Sequence, residues 1–95
     1  MRIEFEAYAT IRDAVGQGTV RMEFPEDATL GEALRAFADD HDGVAPLVFD
    51  GDGEIRPNVN VLHNDENVRA GAGTKTGLSD GDTVTLAPGI AGGSV

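Results

Sequence analysis

The sequence predicts an α+β roll, a twisted mixed sheet wrapped on one main helix. Two patterns and one limit predict it. Four short segments alternate apolar and polar residues at period two, as strands with one buried face do. One segment repeats apolar residues at three-and-four spacing behind a capping box, as a helix lying on a sheet does. The limit is length: a chain of 95 residues buries only roughly 60 to 70% of its unfolded surface. One core fits; a second lobe with a deep cleft does not.

In order, Ile3, Phe5 and Ala7 fall on one face of Arg2 to Tyr8, with charged residues on the other, which predicts a first strand. Ile11 to Val15 reads as a short turn or helical piece closing at Gly16-Gln17-Gly18, and Val20 to Phe24 alternates again. Two strands joined this way form an antiparallel pair. Pro25 stops the second. Thr29-Leu30-Gly31-Glu32 has capping-box spacing immediately before Ala33 to Ala38, so the main helix starts there, with Leu30, Ala33, Leu34, Phe37 and Ala38 inward and Glu32, Arg35, Asp39 and Asp40 outward. Val44 to Phe49 is apolar but holds Pro46, which predicts a short irregular element against the core. Asp50-Gly51-Asp52-Gly53 is a turn signal, Val59 to His63 a third strand, and Thr83 to Ala87 a last strand ended by Pro88. Arg69 to Gly77 has three glycines and no large apolar residue, which predicts an exposed, mobile loop. There is no internal repeat. A folded domain over residues 1–88 and a flexible tail over 89–95 are expected.

Charge excludes whole classes of function. Seventeen Asp and Glu face seven Lys and Arg, for a formal net charge of -10. Such a chain repels a polyanion, so direct binding to nucleic acid is not expected. An acidic surface with Lys75 as its only lysine suits a salt-rich cytoplasm, where about 1 M salt screens self-repulsion beyond about 3 Å, and it points to a halophilic source. No cysteine is present, which rules out thiolate zinc sites, iron-sulfur clusters, disulfides and cysteine nucleophiles. Met1 to Thr10 does not resemble a signal peptide, and no apolar run nears the ~20 residues that cross a bilayer. A cytoplasmic protein with no membrane partner is expected.

Several motifs invite chemistry and fail on spacing. Asp50-Gly51-Asp52-Gly53-Glu54 resembles the start of a calcium loop, but Ile55 and Val61 stand where its glycine and glutamate would be, so a turn is expected. Gly71 to Thr76 is faintly like a phosphate loop, but Thr74 precedes Lys75 where glycine is needed. His41, at the end of the main helix, suits the negative end of its dipole. His63, at a strand end with no serine, cysteine or second histidine nearby in sequence, is expected simply to be exposed. Paired acids such as Asp39-Asp40 read as a solvated face.

The tail carries the remaining signal. Gly92-Gly93 follows a strand and a proline, and a segment without Cβ atoms can run extended through a narrow channel in a partner. A terminal glycine also puts the least bulk around a carboxylate that must be activated, commonly as an acyl adenylate.

With the strand order and this tail, the chain resembles the ubiquitin-like sulfur carriers and modifiers of the β-grasp fold, MoaD/ThiS-like proteins that include the small archaeal modifier proteins and the small subunit of molybdopterin synthase. The resemblance runs nearly end to end. It is carried by Tyr8-Ala9, Ile11 to Gly16, Ala28 to Leu34, Asn58 to Leu62 and Leu78 to Val84 leading to the double glycine. It implies a substrate protein and not an enzyme. In the family an activating enzyme similar to the ubiquitin E1 adenylates the terminal glycine, here Gly93. The adenylate then becomes a thiocarboxylate, supplying sulfur for the molybdenum cofactor or for tRNA thiolation, or forms an isopeptide bond to a lysine of a target protein. ATP and zinc belong to the activating partner, and no cofactor is bound here.

Two departures from the family pattern matter. Gly89 replaces the second proline of a Pro-Pro-Val-x-Gly-Gly tail, which implies a looser tail. Ser94-Val95 lies beyond Gly92-Gly93, and while it remains Gly93 has no free carboxylate. The resemblance therefore implies a precursor trimmed after Gly93 by a metalloprotease, with a functionless extension as the alternative. Lys75 is the one side-chain amine on which chains of the modifier could grow. Ile90 and Leu86 are candidate docking anchors for the activating enzyme or the molybdopterin synthase large subunit, although Leu86 fits the core equally well. The rival to the whole reading is a β-grasp interaction domain that binds a partner without C-terminal chemistry.

Overall fold

The computed structural model describes residues 1–89. Its strands are β1 (Arg2–Ala7), β2 (Thr19–Glu23), β3 (Val59–His63), β4 (Glu66–Asn67) and β5 (Thr83–Pro88), and its helices α1 (Ala9–Val15), α2 (Leu30–Asp39) and α3 (Ala45–Val48). Two 3-10 turns, Val68–Ala70 and Gly73–Lys75, lie between β4 and β5. The strands form one sheet in the order β2-β1-β5-β3-β4. β1 and β2 pair antiparallel, as their alternation predicts, β1 and β5 pair parallel, and β3 pairs antiparallel with β5. A parallel pair cannot be closed by a tight turn. The chain from β2 to β5 therefore crosses one face of the sheet, and α2 fills that crossing. This is the β-grasp arrangement.

Register decides which residues meet. Phe5 sits opposite Val20 on one side and Val84 on the other, so the inward residues of β2, β1 and β5 form a continuous apolar floor. α2 lies on it through Leu30, Ala33, Leu34, Phe37 and Ala38, all buried, while Glu32, Arg35, Asp39 and Asp40 are exposed. Phe37 stacks on Phe5 with ring centroids 4.4 Å apart, and Phe24 meets Phe5 edge-on at 6.1 Å. Burying an aromatic ring of this kind contributes several kcal/mol, and truncating it to alanine costs about 3 to 5 kcal/mol. The capping box is complete: the Glu32 N–H donates to Thr29 Oγ1 (3.3 Å) and the Thr29 N–H donates to Glu32 Oε1 (2.9 Å).

The segment after β1 is a true helix, α1. It buries Ile11 and ends at Gly16, whose φ of 92° supplies the left-handed cap that closes on the Arg12 carbonyl. Val44 to Phe49 is more regular than the proline suggests. Pro46 falls in the first turn of α3, where a missing N–H costs nothing, so Val48 and Phe49 reach the core. Asp50 Oδ1 accepts the N–H groups of Asp52 and Glu54 (2.9 and 3.0 Å), making the expected turn between Phe49 and Ile55, which form an isolated bridge.

Arg69 to Gly77 lies at the surface as expected, with no buried residue, but it is anchored at several points where composition predicts a mobile loop. Val68 and Leu78 are buried at either end, and the Arg69 guanidinium donates to the carbonyls of Val59 (2.8 Å) and Arg56 (2.6 Å). The Leu30 N–H donates to the Thr76 carbonyl (2.8 Å), and Thr29 bridges Gly77. Close approach of the chain to α2 is the physical reason: a Cβ on Gly31 would stand 2.9 Å from Thr74 Cβ, so glycine alone lets the turn press against the helix. Among the described residues, no helix is long and apolar enough to cross a membrane.

Candidate functional site

The strand that leads to the double glycine is the middle strand of the sheet. β5 is hydrogen-bonded to β1 on one side and β3 on the other, and its inward residues Val84 and Leu86 are wholly buried. Whatever pulls on the tail pulls on the most constrained strand of the fold. The ladder runs one residue beyond β5, for the Gly89 N–H donates to the Asn58 carbonyl. Proline could not make that bond. The looser tail expected from the missing proline concerns residues beyond Gly89, outside the described ones. Ile90, Gly92, Gly93, Ser94 and Val95 lie outside the described residues.

Leu86 is no docking anchor. It faces inward opposite Val61 and has no exposed surface, so of its two readings the structure selects the core. The outer face of the sheet instead carries Tyr8, at 49% exposure, beside the tail root, and Leu62, half-buried, farther along β3 opposite Thr85. Tyr8 is tied to the tail strand by its N–H, which donates to the Leu86 carbonyl (3.0 Å). Alternation could have found Leu62: with Val59 and Val61 inward, it must point out. Register with β5 was the missing information.

His63 is not simply exposed. It falls on the inward parity of β3, at the sheet's end, and its Nε2 lies 2.7 Å from Asp82 Oδ2, with the two side chains 22% and 14% exposed. Asp82 Oδ2 also accepts the Ser79 N–H (2.8 Å), and its Oδ1 accepts Asn64 Nδ2 (3.0 Å). Asn64 is held in turn, since its Oδ1 accepts the Thr83 N–H (2.9 Å). Burial pulls the Asp82 carboxyl upward, but the hydrogen bonds from His63, Asn64 and Ser79 and the charge of His63 outweigh it and hold its pKa below the ordinary 3.8. The cluster locks the end of β3 to the turn that starts β5. His41 is structural, as its place at the helix end predicts: its Nδ1 lies 2.8 Å from the Phe37 carbonyl and its ring packs on Phe37.

Lys75 closes the second 3-10 turn and is exposed. Among the described residues it makes no ion pair, whereas Arg2 and Arg21 pair with Glu23 and Glu4 across β1 and β2 and Arg35 lies over the Phe49 ring at 4.0 Å. Lys75 stands beside an open hollow of about 630 Å³ that it shares with His63, Glu66 and Val68. No three His, Asp or Glu side chains converge as a metal-binding group among the described residues.

This geometry has relatives. The chain is 41% identical over 93 residues to small archaeal modifier protein 3 of Haloferax volcanii, covering 98% of this chain and all of that one. It is 36% identical over 67 residues to the sulfur carrier protein CysO of Mycobacterium tuberculosis, covering 68% of this chain and 72% of that one. The crystal structure of SAMP1 from Haloferax volcanii superimposes with a TM-score of 0.86 at 33% identity, covering 97% of this chain and 99% of that one. The model of the ThiS family matches residues 7–93. A sheet led by a central tail strand, a match that runs through the double glycine and these likenesses agree, and the chain belongs to the ThiS family, with small archaeal modifiers and sulfur carriers as its homologues.

Proposed function

We propose that this protein is a ubiquitin-like modifier and sulfur carrier that works through Gly93 once Ser94-Val95 has been removed. The observation that carries the reading is the position of β5: the strand that leads to Gly92-Gly93 is the middle strand, held on both sides, so a compact body presents a tail whose root is fixed. The chemistry needs only the tail's carboxylate here. That carboxylate attacks the α-phosphorus of ATP on an activating enzyme, forming the acyl adenylate and releasing pyrophosphate. Hydrosulfide then displaces AMP and loses a proton to leave a thiocarboxylate, or a target lysine amine displaces AMP and loses a proton as the isopeptide bond forms.

Ser94-Val95 decides timing. With two residues beyond Gly93, its carbonyl is an amide and cannot be adenylated, so a processing protease, by analogy a zinc-dependent one, acts first. The partner's docking face is the outer side of the sheet at Tyr8 and Leu62, with Ile90 on the tail. Lys75 is the acceptor through which copies of the modifier join.

Intact mass and the C-terminal peptide of the protein isolated from its own host test the reading. A chain ending at Gly93, or one with sulfur in place of a carboxylate oxygen, is expected. A population ending wholly at Val95 and absent from conjugates would replace it with the non-covalent interaction domain.

A further inference from the structure

The hollow beside Lys75 is open and lined mostly by small side chains and backbone. Its apolar lining is Val68, which is buried, with the exposed Ala70 and Ala72; Lys75 and Glu66 also line it, and its volume is about 630 Å³. No apolar side chain of the lining is larger than valine, and Gly71 and Gly77 line it too, so a backbone can approach closely. The walls are fixed independently of any partner. On one side His63, Asp82 and Asn64 lock the end of β3 to the 79–82 turn. On the other, the Gly31 contact sets the Gly73–Lys75 turn against α2.

Such a hollow calls for a narrow segment with one moderate apolar side chain and a negative end to meet the Lys75 ammonium. Residues 90–93, Ile-Ala-Gly-Gly, have that composition once the chain ends at Gly93. Topology says the segment must come from elsewhere. β5 runs antiparallel to β3, with Pro88 opposite Val59 and Val84 opposite His63. The tail thus leaves at one end of β3, while the hollow lies at the other, about 13 Å back along the strand. Residues 90–93 span at most about 14 Å when fully extended, so reversing direction leaves too little length to reach Lys75.

We infer that this hollow docks residues 90–93 of a second copy of the chain, with Ile90 against Val68, Ala70 and Ala72 and the Gly93 carboxylate against Lys75. The inference rests on the reading that the mature chain ends at Gly93, and it adds a non-covalent recognition step before any bond to Lys75 forms.

The test is titration of the peptide Pro-Gly-Ile-Ala-Gly-Gly into the 15N-labelled full chain, followed by amide shifts. Saturable shifts at Ala70, Gly71, Ala72 and Gly77, with a Kd on the order of 1 mM, are expected. Binding should weaken about fivefold when the peptide carries a C-terminal amide, and by a similar factor in Lys75→Met, the range of one exposed ion pair. The amidated peptide needs no protein variant, so the comparison survives if Lys75→Met is poorly behaved. Absence of shifts, shifts confined to other surfaces, or equal affinity for the acid and amide peptides would overturn the inference. None of those results touches ATP-dependent activation at Gly93, and loss of activation with peptide binding intact would overturn the functional reading alone.

Discussion

Replacing Asp82 with asparagine separates charge from shape at one position. Asp82 accepts from His63 Nε2 at 2.7 Å, the Ser79 N–H at 2.8 Å and Asn64 Nδ2 at 3.0 Å. An asparagine there has one acceptor oxygen. If it takes the place of Oδ2, its NH2 confronts the Asn64 NH2; if it takes the place of Oδ1, it confronts the Ser79 N–H and His63. Asn64 cannot turn over to relieve the first clash, because its own oxygen is held by the Thr83 N–H. At least one hydrogen bond is therefore lost whichever way the amide faces, and the others lose their charge. Bonds to charged groups contribute about 1.5 to 3 kcal/mol and neutral ones about 1 kcal/mol. With the site partly open to water, Asp82→Asn should cost about 2 kcal/mol. At about 4 to 8 °C per kcal/mol for a domain of this size, Tm should fall by about 10 °C.

The pH dependence supplies the sign. The Asp82 pKa is depressed in the folded protein, so its contribution is fully present above the unfolded value and is lost as pH falls through the folded one. The wild-type minus Asp82→Asn difference, measured by urea denaturation followed by circular dichroism, should be present at about pH 5 and close as pH falls below the ordinary value of 3.8. The difference matters because 17 acidic residues move the individual curves together. A loss under about 0.5 kcal/mol, or a gap that does not narrow in acid, would refute the account of this cluster.

Other substitutions probe other links. Gly31→Val should destabilise by about 1 to 3 kcal/mol in urea unfolding, despite valine's better helix propensity, because its Cβ would lie 2.9 Å from Thr74 Cβ and 3.1 Å from the Thr74 carbonyl oxygen; a neutral or stabilising result would mean that the turn yields freely. Thr29→Ala removes half of the capping box and should cost about 1 kcal/mol in the same assay. Leu86→Ala should cost about 2 to 5 kcal/mol, as befits a core residue, whereas Leu62→Ala should leave stability within about 1 kcal/mol and instead slow ATP-pyrophosphate exchange by the activating enzyme; the reverse pattern would restore Leu86 as the docking residue.

Features set within a few residues of chain are legible from the residues alone. The alternation of Ile3, Phe5 and Ala7 places a strand, and Thr29 with Glu32 starts α2 because both partners of the capping box lie three residues apart. The double glycine is likewise visible as written, as are the excess of acids and the single lysine. Contacts between residues far apart in the chain come only from the fold. His63 and Asp82 are 19 residues apart and meet only because β3 and β5 pair in one register, so His63 read alone looked idle. Leu86 could be assigned to core or surface only when β5 was known to be the middle strand. The stretch from Arg69 to Gly77 is poor in apolar side chains and reads as mobile by composition, yet it is held by backbone hydrogen bonds and by a close approach at Gly31, forces that composition does not record. Local signals are fixed by short-range sterics and hydrogen bonding, while register and close packing are collective, and no single segment of the chain carries them.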